Sequence, residues 1–182
     1  MLWQFYASLN RQVRTAIETE DVGEKRQNVA VCIILATTLV EAFLNIFFRV
    51  VVGEQGFSQF REKVMDDLDR RASLEYKIKE WPQLVFGQSI DFSKGIGQDF
   101  IALKDTRNWL MHFTSTYETV VVDNITVHGL ADISRHEALD GAHATRALET
   151  AEAVIAEIIR LRGVPPENIP YHLQSWLGRL PF

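Results

Sequence analysis

The chain is poor in the residues on which many function classes depend. Cysteine is nearly missing: Cys32 is the one example in 182 residues. A lone thiol excludes an intrachain disulfide framework, and its place in an apolar run marks it as a small buried hydrophobe. No CxxC pair and no HExxH motif occurs, and His128, His136 and His143 are spaced too loosely to read as ligands, so no metal site is expected. GxxxxGK[ST] is missing, and Gly95-Ile96-Gly97 has neither a following Gly-Lys nor a preceding strand, which excludes a phosphate loop. There is no GxSxG elbow for a nucleophilic serine. Five prolines and ten glycines leave no linker-like tract. Basic residues are in the minority, 19 against 24 acidic ones, for a net charge of −5. That balance excludes a surface coated with phosphate-binding side chains but leaves room for a local basic cleft.

What is present is apolar and periodic. Hydrophobic residues make up 47% of the chain and charged residues 24%, a globular balance at a length that fits a single domain over 1–182. The run from Val29 to Val52 is about long enough to span a bilayer. Glu41, Asn45 and Arg49 recur in it at i, i+4, i+8 and form one polar stripe, and a Glu and an Arg at mid-depth cost roughly 2.5–3.5 kcal/mol each. A helix apolar nearly all round also suits the centre of a bundle. No membrane association is therefore expected. The first residues lack a positive leader before an apolar block, so a cytoplasmic location is expected.

The periodicity predicts an all-α, up-and-down bundle of four to five helices with a small β-hairpin insertion. A first helix covers 2–17, with Trp3, Tyr6, Leu9, Val13 and Ile17 on one side. The second covers 25–52 and should be the most buried, with Gly53 at its C′ position. Ser58 caps a third helix, 58–79, that stops before Trp81-Pro82, and 81–97 reads as a loop. A fourth helix covers 98–114. Val120, Val121, Val122, Ile125 and Val127 flank Asp123-Asn124, which predicts a hairpin within 117–128. Ser134-Arg135-His136-Glu137 has capping-box form and opens the last long helix, 135–162, with Leu148, Ala151, Ile155 and Ile158 as its stripe. The core is expected over about 25–162, with a C-terminal tail packed onto it.

Chemistry concentrates on the fourth helix. Asp105, Asn108 and His112 fall at i, i+3, i+7 and share a face, and Arg107 flanks it, about 140° from His112. An Arg, an amide and a His among Leu103, Leu110 and Met111 are costly unless partners satisfy them. Arg107 can instead pair with Glu41, and His112 can be a satisfied core histidine. Glu41, Asn45 and Asp105 are candidates to line a cleft beside the motif. The basic cluster Arg70, Arg71, Lys77 and Lys79 can guide an anionic ligand or be plain solvated surface.

At Arg107-Asn108-xxx-His112 the sequence resembles the HEPN superfamily (higher eukaryotes and prokaryotes nucleotide-binding domains), whose motif has the form RNxxxH. The run Phe100 to Thr106, the apolar helix around Leu39 to Asn45, and the Lys79-Glu80-Trp81-Pro82 break agree with it, and the similarity covers about 25–160. The resemblance implies a metal-independent endoribonuclease with Arg107, Asn108 and His112 as catalytic residues and no cofactor. It implies a homodimer whose two motif helices face each other across a cleft, with RNA as substrate. A toxin or phage-defence role follows from it, with a nucleotidyltransferase-type antitoxin as partner in some relatives. The Tyr that such an antitoxin modifies is Thr114 here, which puts that form of regulation in doubt. The alternative is a catalytically inactive HEPN-like module that binds a nucleotide or a protein.

Overall fold

The computed structural model describes residues 2–112, 117–122, 125–131 and 134–178, with the backbone alone from 112 through 134. Among the described residues there are eight α-helices: α1 (Leu2–Glu18), α2 (Val22–Val51), α3 (Arg61–Asp69), α4 (Leu74–Phe86), α5 (Gly95–His112), α6 (Ser134–Glu137), α7 (Gly141–Leu161) and α8 (Ile169–Leu177). A hairpin of β1 (Tyr117–Val122) and β2 (Ile125–Ala131) stands between α5 and α6, antiparallel from Val122↔Ile125 to Tyr117↔Ala131 with an irregularity between Glu118 and Val120. The all-α class and the hairpin agree with the sequence reading. The helix count exceeds the four to five expected, because local caps divide two of the expected segments and the C-terminal tail forms α8.

Those caps explain each shifted boundary. Asp21 accepts from the Glu24 N–H at 2.7 Å, so α2 starts at Val22 and not at 25. At its other end Gly53 lies outside the left-handed region, and its N–H bonds to the Val50 carbonyl at 3.0 Å, so the expected C′ glycine is a tight turn instead. The expected 58–79 helix is broken. Residues 58–60 are a 3₁₀ turn, and α3 closes with the Arg71 N–H on Leu68 O and the Ala72 N–H on Asp67 O. That is the Schellman pattern with Arg71 at φ 54°, and Ser73 then caps a new helix through the Tyr76 N–H. The new helix, α4, runs through Pro82 to Phe86, where 81–97 was expected to be loop. Pro82 forfeits one helical hydrogen bond. Burial of Trp81, Pro82 and Val85 holds the helix together until left-handed Gly87 ends it. The fourth helix starts at Gly95, three residues earlier than expected. Ser134 opens only the four-residue α6, because Asp140 is extended (φ −137°, ψ 177°). Asp140 caps α7 in a reciprocal box with His143.

Helix α2 is the centre of the packing, in contact with α1, α3, α4, α5 and α7. It is the one helix among the described residues long and apolar enough to cross a membrane, and half of its most apolar window is buried within the protein. Phe43, Phe47 and Phe48 are fully buried on it, each contributing about 2–3 kcal/mol by area. Around them stand Trp81 and Phe86 of α4 and Trp176 of α8, with ring centroids 5.4–5.6 Å apart at the Phe48–Phe86, Phe48–Trp81 and Phe43–Trp176 contacts. Helix α8 of the expected tail therefore packs onto the body through Trp176 and Leu177, whereas Tyr171 is exposed and Leu180 lies outside the described residues. On α1 the buried stripe is Leu2, Tyr6, Leu9, Val13 and Ala16, whereas Trp3 and Ile17 are more than half exposed. A 3.6-residue period rotates the two ends of the expected stripe out to solvent.

Candidate functional site

Helix α5 presents Lys104, Arg107 and Asn108 at i, i+3, i+4, so the three share one side of the helix. That side faces α2 and the first turn of α4 across a cleft of about 250 Å³. Its walls are Thr37, Thr38 and Glu41 of α2, Ser73, Leu74 and Glu75 at the start of α4, and Lys104, Arg107 and Asn108.

Arg107 Nη1 donates to Asn108 Oδ1 at 3.1 Å. An arginine can only donate, so this contact fixes the amide orientation and leaves the Asn108 NH₂ as a donor for another group. On the α2 wall, Thr37 donates to the Ile33 and Ile34 carbonyls and Thr38 to Ile34. Their hydroxyl protons are thereby consumed by the helix backbone, and the wall offers acceptors and methyl groups. Donors from α5 thus face acceptors from α2.

The carboxylates of the cleft are both paired. Glu41 accepts from Lys77 Nζ at 2.9 Å, and Lys77 is buried with its ammonium 5.9 Å from the centre of the Trp81 ring. Glu75 accepts from Lys104 Nζ at 2.6 Å and from Lys79 Nζ at 2.7 Å. The Lys104 bond, followed by the Lys79 bond, holds the Glu75 carboxyl down at about 2. Burial pushes the Lys104 ammonium down, but the hydrogen bond and charge of Glu75, together with the nearby Asp105 carboxylate, outweigh this and raise it above its ordinary value.

Of the residues expected from sequence, Arg107, Asn108 and Glu41 come together here. Asn45 and Asp105 do not line the cleft. Asn45 sits one turn beyond Glu41, about 6 Å further along α2, and its buried Oδ1 has no hydrogen-bond partner among the described residues. Asp105 projects to solvent with its side chain 64% exposed, because the cleft takes the 104–107–108 side of α5 and not the 105–108–112 side. His112 is the last residue of α5; its side chain, like Thr114, lies outside the described residues. Met111, expected on the apolar face, is half exposed, and Phe100, Leu103 and Trp109 are the buried hydrophobic residues of α5 among the described ones. The basic cluster disperses: Arg70 pairs with Asp66 on the surface, Arg71 ends α3, Lys77 is buried, and Lys79 reaches Glu75. Lys104 and Glu75 were missed. The spacing of Lys104 from Arg107 was a usable signal, whereas nothing local links Glu75 to a lysine 29 positions away.

Burial pushes the Cys32 thiol up to about 12, so it supplies no thiolate at neutral pH. His143 is engaged as the reciprocal cap of α7. Comparison of the chain with protein-family models, with characterised proteins and with solved structures returned no match.

Proposed function

We propose that this chain is a metal-independent endoribonuclease of the HEPN kind, acting in the cytoplasm as a homodimer. The observation that carries the reading is the joint placement of Arg107 and Asn108 in one cleft of a helical bundle, beside a second cation, Lys104. RNA brings its own nucleophile, the 2′-hydroxyl, so the protein has to move protons and stabilise a crowded, negative phosphorane. Arg107 supplies an always-charged planar fork for two phosphate oxygens, and its bond to Asn108 orients that fork before substrate arrives. His112, four residues after Asn108 and so on a neighbouring part of the helix surface, is the proton-exchanging group, histidine being the residue type whose ordinary charge change falls nearest neutral pH. A two-fold partner brings a second histidine, so that one serves as base and the other as acid. A toxin or phage-defence role, with a nucleotidyltransferase-type antitoxin as partner, belongs to the same proposal.

The test is incubation of the full chain with mixed single-stranded RNAs in EDTA. Cleavage to 2′,3′-cyclic phosphate and 5′-hydroxyl ends is expected, lost in His112→Ala and in Arg107→Ala. No cleavage, or cleavage indifferent to both substitutions, overturns the reading. Retained binding of an uncut nucleotide would then identify the inactive binding module.

A further inference from the structure

A carboxylate ties the two helices that flank the cleft. Glu75 Oε2 of α4 accepts from Lys104 Nζ of α5 at 2.6 Å, while Glu75 Oε1 accepts from Lys79 Nζ at 2.7 Å. One carboxylate thus holds two ammonium groups, one on each oxygen, as a pair of phosphate oxygens does. Arg107 lines the same cleft one turn further along α5, and the N-terminal turn of α4 adds the positive end of its dipole. Lys77, Lys79, Lys104 and Arg107 stand against Glu41, Glu75 and the solvent-exposed Asp105, 3.5 Å from Lys104 Nζ, so four cations face three carboxylates in a chain of net charge −5.

Burial divides the pair unequally. The Lys104 side chain is 15% exposed, whereas Glu75 is 45% and Lys79 39% exposed. An enclosed cation keeps its place and attracts an anion with little screening, while a half-exposed carboxylate exchanges readily with solvent. Building on the ribonuclease reading, we propose that Lys104 and Arg107 form the phosphate subsite of the cleft and that Glu75 is its resident anion. An entering phosphodiester displaces Glu75 from Lys104, and Glu75 stays with Lys79. One anion replaces another at Lys104, so the exchange strands no buried charge. Glu75 thereby sets a threshold that an isolated chloride or a weakly charged ligand does not cross.

The experiment uses the full chain and a fluorescein-labelled, mixed-sequence 2′-O-methyl oligoribonucleotide, which lacks the attacking hydroxyl and is not cut. Binding is read by fluorescence anisotropy. Glu75→Gln is expected to bind about tenfold more tightly and Lys104→Ala about tenfold more weakly, the scale of one charge-assisted hydrogen bond. Glu75→Gln added to Lys104→Ala should bring no gain, since the two act through one contact. The exchange of Glu75→Lys with Lys104→Glu keeps an ion pair across the cleft. It is expected to retain the melting temperature and lose oligonucleotide binding. Wild-type affinity in this charge-swapped protein, or no gain in Glu75→Gln, overturns the proposal and leaves the pair as an interhelical tie. Absence of binding by wild type and Glu75→Gln alike overturns it too. RNA cleavage by the wild type is judged separately, so the subsite can fail while the ribonuclease reading stands.

Discussion

Glu41 of α2 meets Lys77 of α4 at 2.9 Å, and the lysine is the more enclosed partner, its side chain 5% exposed against 39%. From sequence alone, Arg107 was a possible partner for Glu41. With Glu41 taken by Lys77, the guanidinium of Arg107 lies against Asn108 at the cleft wall. A pair that holds α2 to α4 thus leaves the neighbouring arginine to the cleft.

The unequal burial of this pair predicts an order of stabilities. Glu41→Ala strands an ammonium in the interior and should cost about 3 kcal/mol. Lys77→Met keeps the stem packed against Trp81 and leaves behind a carboxylate that water reaches, so it should cost less than about 1 kcal/mol. Urea denaturation of the two variants measures both values. The reverse order would show that the lysine is not the enclosed partner.

Activity should divide the motif residues by role. His112→Ala is expected to lower RNA cleavage by roughly 10²-fold or more, the scale of a general acid–base group. Arg107→Ala should do similar damage and Arg107→Lys should recover little, because a point charge does not copy a planar fork. Asn108→Ala should act more mildly, by releasing the arginine from its orienting contact. Single-turnover rates beside thermal melts check the series. Wild-type cleavage by His112→Ala together with a lowered melting temperature would assign the histidine to packing.

Acid should weaken the fold through two carboxylates. Burial pushes the Asp67 carboxyl up, but hydrogen bonds from Lys63 and the Trp81 indole outweigh it and hold it below its ordinary 3.8. Glu75 is lowered from 4.5 to about 2. Groups depressed in the folded state take up protons more readily when unfolded. Their stabilisation is therefore complete above the ordinary values and disappears as pH falls, for Glu75 through about 2. Unfolding midpoints should be flat from these sources above about pH 5 and fall steeply below it. Asp67→Asn preserves an acceptor for Trp81 and should flatten the slope; an unchanged slope would falsify the assignment.

Gly97 is set by a close approach in the first turn of α5. A Cβ there would lie 2.2 Å from the Asp91 carbonyl oxygen and 2.8 Å from the Phe92 Cα. Both neighbours are backbone, so Gly97→Ala should cost about 1–3 kcal/mol despite alanine's better helix propensity. Differential scanning calorimetry reads the loss. A gain in melting temperature would contradict the packing.

Arg71 occupies the left-handed position that ends α3, at φ 54°. Arg71→Gly relieves the Cβ strain there and should raise stability by about 0.5–1 kcal/mol, even after the entropy that glycine adds to the unfolded chain. Chemical denaturation of the single variant is sufficient to check it. A loss of stability would assign the exposed guanidinium a structural contact.

Helical class, the central place of the second helix, the hairpin and the packed tail were legible in the sequence because they follow from long, repeated patterns. Apolar residues at helical spacing dictate which face must leave water, and α2 has them nearly all round. Boundaries were less legible. The break at Arg71 to Ser73, the passage of α4 through Pro82 and the cap at Asp140 each rest on a few local bonds whose outcome depends on what is buried nearby. Trp81, fully buried and bonded to Asp67, stabilises a helix that its proline would otherwise end.

By itself the sequence determined the helical class and which run of α5 carries the chemistry, since residue types and their spacing are properties of the chain. Only the tertiary structure decided which side of α5 faces the cleft and who pairs with whom. Lys104 and not Asp105 lines that cleft, Glu41 takes Lys77, and Glu75 reaches a lysine 29 positions away. Helical spacing fixes neighbours within one helix. Contacts between helices depend on how buried faces of different segments rotate against one another to exclude water, and no local pattern encodes that rotation.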